Sequence, residues 1–336
     1  MARRKGREGG AERPDLGELS PLEKKSVTHG DFWIPEAERA VYRRALDALN
    51  GAGVPYVVAG AYAIHAHTGM YRQTGDLDLF VEPAVLVPAM HALKAAGFRA
   101  RLEQPHWLAK ALDVAPGGDG GSGLFVDLIY GMGNGLAFID RAWYRHSRPA
   151  ILAATPVRVA PAEELLWHRL FISERHRQDT ADIAHLIVSL GPRLDWRRLV
   201  GRTGEHWPLL LAQLQVFQYV YPDMDCVPAW VLTELLDRAR AELARPRTGA
   251  RVTRGPLISR FSFAIDVHEW DFRDLRAESV RTALDRPEVR ALVASDVWDE
   301  RSRMADECRA AHAADPAPTD PAPTEPTPAD PERDDG

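Results

Sequence analysis

Arg72-Gln73-Thr74-Gly75-Asp76-Leu77-Asp78-Leu79-Phe80-Val81 places two aspartates one residue apart in an alternating polar and apolar run. Alternation of this kind marks a half-buried β-strand, because successive side chains point to opposite faces. Asp76 and Asp78 therefore share one face, while Leu77 and Leu79 point to the other, toward a core. Two carboxylates fixed side by side repel each other. They are stable together where a cation lies between them, most simply a divalent metal. The plainer alternative is a strand edge that faces solvent.

Upstream, residues 56–59 read as a short strand and 61–68 as a short helix that Gly69 stops. Gly60-Ala61 thus opens a helix directly after a strand. Amides at a helix start bind phosphate, and a glycine allows it to come close. An isolated Gly-Ala also suits an ordinary tight turn. Downstream, Leu124-Phe125-Val126-Asp127-Leu128-Ile129-Tyr130 is an apolar run broken by one acid. It reads as a buried strand, in which an ionised Asp is costly unless paired or metal-bound. If this strand neighbours the Asp76/Asp78 strand, three carboxylates converge, and an all-oxygen ligand set suits Mg²⁺ or Mn²⁺. Asp127 alone also fits a satisfied buried acid; Asp113, on the preceding predicted strand, is then the next candidate.

These residues resemble the nucleotidyltransferase superfamily of the DNA polymerase β type, and within it the small bacterial branch of AbiEii-type toxins and aminoglycoside nucleotidyltransferase-like proteins. The resemblance rests on Gly60-Ala61, on Arg72-x-Thr74-x-Asp76-Leu77-Asp78 and on the distant Asp127. It continues at Arg169, where relatives often have Lys, and at Arg175, Asp179 and Asp182, and covers roughly residues 37–190. Ala61 departs from it, since Gly or Ser is usual there, and so removes a hydroxyl contact to phosphate. The resemblance implies an α/β fold, with a mixed sheet flanked by helices and a mostly helical C-terminal region. It implies Asp76, Asp78 and Asp127 as catalytic metal ligands. It places Gly60, Ala61, Arg72, Thr74 and Arg169 around the nucleotide. For Arg72 and Thr74 the competing expectation is a stabilising contact to Asp76 or Asp78. For Arg169 it is a solvated helix face with pairs such as Arg175–Asp179.

The organisation expected from the sequence is a disordered segment over 1–30, a catalytic domain over 31–160, a helical domain over 161–312 and a disordered tail over 313–336. Predicted strands lie at 98–102, 107–114 and 124–130, with an edge strand at 157–159. Predicted helices lie at 35–50, 83–96, 162–174, 180–190, 196–201, 209–220, 229–244, 279–284 and 288–307; 257–266 suits strand or loop. Two glycine clusters carry no nucleotide motif. Residues 117–123 lack the Gly-Lys-Ser/Thr of a phosphate loop, and 131–136 lack the last glycine and the downstream acid of a dinucleotide fingerprint.

The net charge of −6 comes from the tail: 315–336 contain seven acids and one Arg, which leaves 41 acids and 41 bases before it. A balanced body lacks the broad basic footprint that sequence-independent nucleic-acid binding needs. Cys226 and Cys308 form neither a disulfide framework nor a metal motif, and no apolar run reaches membrane length, so a cytoplasmic protein with no membrane partner is expected. The function expected from the resemblance is Mg²⁺-dependent (or Mn²⁺-dependent) transfer of a nucleoside monophosphate from an NTP to an acceptor hydroxyl. The acceptor is a small molecule, a protein or tRNA, in a resistance or toxin–antitoxin setting with an antitoxin partner. The alternative is a catalytically idle binding module of the same fold, which Ala61 favours.

Overall fold

A seven-stranded mixed sheet organises the computed structural model, which describes residues 34–295 apart from 71, 73, 115–121, 175 and 176. The segments expected to be disordered, 1–30 and 313–336, lie outside the described residues. The strands are β1 (Val57–Val58), β2 (Asp76–Phe80), β3 (Phe98–Gln104), β4 (Leu108–Asp113), β5 (Phe125–Ile129), β6 (Arg148–Leu152) and β7 (Thr155–Val159). Their order across the sheet is β3-β4-β5-β2-β1-β7-β6. The pairs β2–β5 and β1–β7 are parallel; the other neighbours are antiparallel.

The period-two alternation sorts side chains into two cores. Leu77 and Leu79 on β2 join Val126 and Leu128 on β5 and Ala109 and Ala111 on β4. The helices Glu36–Gly51 and Leu86–Ala95 cover that face. They supply Val41, Ala45 and Leu49, and Leu86, Met90 and Leu93, at the three-to-four spacing that makes one apolar stripe. Each fully buried leucine contributes about 1.5–3 kcal/mol relative to exposure. Phe80, Leu108 and Ile129 point to the opposite face and join a second cluster. Leu165, Leu166, Ile183, Ile187, Leu199, Leu214 and Leu235 belong to it as well. The expected boundary near 160 therefore runs through a shared core, and the described residues lie in one compact unit.

Local expectations are adjusted at four places. The strand expected as an edge at 157–159 is internal, since β6 lies outside it. Arg148–Leu152 hides its strand character because Pro149 interrupts the pattern and three of its five residues are exposed; an edge strand tolerates both. The helix expected over 162–174 stops at Arg169 and gives way to a short hairpin that pairs Ser173 with Gln178. Residues 257–266 hold no strand: a 3-10 turn, Gly255–Leu257, leads through turns to the helix Ala264–His268. The last two predicted helices become Leu275–Leu284 and Pro287–Val293, and 296–307 lie outside the described residues.

Candidate active site

Parallel pairing of β2 with β5 sets Asp78 directly opposite Asp127, and the period of two puts Asp76 on the same face. Oxygens of all three carboxylates lie within 4.8 Å of one another. This is the second-core face, so the acids lie on the side where the C-terminal helices pack. Burial, followed by the charges of Asp76 and Asp127, pushes the Asp78 carboxyl up to about 7, against the pull of Arg169 and Arg177. Burial also raises Asp127, whose carboxylate takes both oxygens' contacts from Lys110 Nζ, at 2.8 and 3.0 Å. Lys110 stands opposite Asp127 on β4 and packs 4.0 Å from the centre of the Phe125 ring. Thr74 Oγ1 donates to Asp76 Oδ1.

Gly60 begins the helix Gly60–Thr68 with a φ of +56°, and a Cβ built on it would overlap the Asp78 carboxylate. Both facts require glycine. Ala61 follows, half-buried, in the first turn. A hard divalent cation fits this donor set: oxygen ligands alone, clustered, with one carboxyl raised by burial and then by its two acidic neighbours. Asp113 is not in the cluster; it is held by Arg44 and by Ser122 Oγ at 2.6 Å.

The cationic residues are arranged differently from expectation. Arg72 reaches Asp182, not Asp76 or Asp78. Arg169 is buried, not on a solvated helix face; its Nη1 donates to Asp179 at 2.8 Å and its Nη2 lies 3.4 Å from Asp182. Arg175, expected to pair with Asp179, lies outside the described residues. Arg177 meets Asp179 at 3.3 Å and keeps a largely exposed side chain.

A cavity of about 490 Å³ contains the carboxylates, Gly60, Arg169 and Arg177. Its other wall comes from residues that sequence reasoning had not placed at a site, among them Trp107, Asn134, Leu257, Arg260, Phe261 and Arg276. The 131–136 glycine segment receives this wall. Asn134 Nδ2 donates to the Leu257 carbonyl at 3.1 Å, Arg276 Nη2 to that of Gly133 at 2.9 Å, and Ser279 Oγ to that of Asn134 at 2.5 Å. Gly135 has a φ of +75°, and the backbone of Val280 fills the space a Cβ would take. Lys110 was the one signal available in advance, the one cation in the strand Leu108–Asp113. The long-range wall had none.

No family model and no curated protein matches the chain. Among solved structures it is similar to ANT(2'')-Ia in complex with adenylyl-2''-tobramycin, at 16% identity over 62% of this chain and 99% of that one, with a TM-score of 0.32. It is similar to the lincosamide antibiotic adenylyltransferase LnuA, lincomycin-bound, at 15% identity over 46% and 96%, with a TM-score of 0.32. A putative nucleotidyltransferase from Thermotoga maritima shares 16% identity over 40% and 84%, with a TM-score of 0.31. No helix among the described residues is long and apolar enough to cross a membrane.

Proposed function

We propose that the protein is a metal-dependent nucleotidyltransferase. The observation that carries this reading is the convergence of Asp76, Asp78 and Asp127 on one sheet face beside Gly60. In the proposed reaction the acceptor hydroxyl oxygen bonds to the α-phosphorus of an NTP. The bond from that phosphorus to the bridging oxygen breaks, and pyrophosphate leaves. Asp76 and Asp78 would hold two Mg²⁺ (or Mn²⁺) ions, with Asp127 sharing one. Bound there, such ions neutralise phosphate charge and lower the pKa of a hydroxyl. Asp127 accepts the hydroxyl proton, and Lys110, bonded to both its oxygens, orients it. Gly60 admits a phosphate close to the helix-start amides, including that of Ala61. Thr74 steadies Asp76. Arg169 and Arg72 hold Asp179 and Asp182 and so position the cavity wall; Arg177, more exposed, is the better-placed phosphate contact.

Lys110 on Asp127 favours the second reading, an idle binding module, because it already neutralises one of the three acids. One experiment separates the two. The protein is incubated with each labelled NTP, Mg²⁺ and cell lysate, in parallel with the Asp127→Asn variant. Transfer is expected in the wild type, with a loss on the order of 10³-fold in the variant and only a modest loss of NTP affinity. NTP binding without transfer to any acceptor would establish the idle module. A variant with near-normal turnover would remove Asp127 from the reaction. The toxin–antitoxin setting is tested by expressing the chain alone and asking whether growth stops.

A further inference from the structure

The cavity has two chemically distinct ends. The carboxylates and Gly60 occupy one; Gly133, Asn134 and the 256–276 wall form the other. Asp127 and Gly131 are separated by four residues of extended chain, about 13 Å, so the ends do not overlap. Two guanidiniums stand at the far end. Arg276 is half-buried against the Gly133 carbonyl, and Arg260 packs 4.6 Å from the centre of the Phe261 ring. Phe261 is 58% exposed, and the Trp107 indole lies against Gly133.

Neither arginine forms an ion pair among the described residues. Burial, then the charge of Arg260, holds the Arg276 guanidinium below its usual range, with Asp274 and Glu174 offsetting part of this. Glu174, the acid that lines this end, accepts from Ser259 Oγ at 2.5 Å. A ligand entering there meets Arg260 and Arg276 against one carboxylate. It also meets the exposed Phe261 ring and the half-buried Trp107 indole. Such a surface attracts an anion and repels a polycation.

We propose that Arg260 and Arg276 are specificity-determining residues of the acceptor site. They select an acceptor that carries a phosphate or carboxylate besides its hydroxyl, and they reject a polycationic amino sugar such as tobramycin. The inference rests on the nucleotidyl-transfer reading for the word acceptor; the anion site itself stands on its own geometry.

The test is calorimetry on the full chain saturated with ATP and Ca²⁺, so that the triphosphate site is already filled. The probes are ribose 5-phosphate, glucuronate, ribose and tobramycin. The two anionic probes separate phosphate from carboxylate as the recognised group. We expect at least one anionic probe to bind at least tenfold more tightly than ribose and than tobramycin. R260E/R276E should lose that preference by at least tenfold while ATP affinity stays within about twofold. R260Q alone, at an exposed position that spares the Gly133 contact, should lose part of it. Tighter binding of tobramycin, or no preference for either anion over ribose, would overturn the proposal. So would an equal loss of ATP affinity in R260Q, which would make these arginines triphosphate ligands. If the anion preference is found but no NTP is ever transferred, the transferase reading fails and the anion site remains.

Discussion

Two clusters of acids share the field of Arg169 and Arg177, which line the cavity, and they are balanced in opposite ways. Asp179 and Asp182 receive Arg72, Arg169 and Arg177, so their charge is met by the protein's own cations. Asp76, Asp78 and Asp127 have a single lysine bonded to them among the described residues, and it serves Asp127 alone. The first cluster is complete without a ligand and fastens the hairpin and the helix Thr180–Leu190 to the helix Ala162–Arg169. The second is short of positive charge by construction. Burial of acids therefore does not by itself mark a ligand site; the local deficit of positive charge does.

The contrast predicts opposite responses to mutation. The largest effect is expected for Arg169→Met, which strands Asp179 and Asp182 with less cation than they need. It should cost about 3–5 kcal/mol in urea denaturation, as expected when one partner of a buried pair is removed. A loss below about 1 kcal/mol would erase the distinction between the clusters.

Asp78→Asn should act in the other direction. The folded carboxyl titrates near 7 against 3.8 when unperturbed, so the metal-free fold takes up a proton between those values. The contribution of this group to stability is full below about pH 4 and is lost as pH rises through about 7. At pH 8 the variant should be more stable than the metal-free wild type, by at most about 4 kcal/mol. Mg²⁺ should stabilise the wild type and not the variant. Below pH 7 the affinity for Mg²⁺ should fall as protons compete for Asp78, by up to about tenfold per pH unit. A flat pH profile of metal-free stability would sink this account.

Lys110→Met sharpens the comparison by deepening the deficit. Removing the competing ammonium from Asp127 should tighten Mg²⁺ binding, by about tenfold, or about 1.4 kcal/mol. Calorimetry checks it; weaker binding would mean that Lys110 orients Asp127 for the metal more than it competes. The smallest effect belongs to Asp113→Asn. Its pairing with Arg44 is at the surface, where such pairs contribute about 0–1 kcal/mol. Neither thermal stability nor Mg²⁺ affinity should move measurably, and a lost metal site would reopen its candidacy as the third acid.

Much of the carboxylate end was legible in the chain because its signals are local. Period two alone puts Asp76 and Asp78 on one face and Leu77 and Leu79 on the other, and the structure keeps that division. Gly60 announces a close approach because no other residue allows it. The partners of Arg72 and Arg169 were not legible. Asp182 is 110 residues from Arg72, and many acids lie within reach of a long flexible side chain until packing selects one.

The alternating strands at 76–80 and 125–129, their faces and the acids they carry follow from the chain alone, since backbone alternation is fixed residue by residue, whereas the Pro149-interrupted strand 148–152 does not. Long-range packing selects which strand lies beside which, and so brings Asp127 to the group. Only it brought Leu257, Arg260 and Arg276 to a cavity whose floor is built more than 100 residues earlier. The glycines at 131–135 show the reason. Read locally they are a failed motif, and their role appears only when Val280 and Arg276 pack against them, a contact that no local pattern encodes.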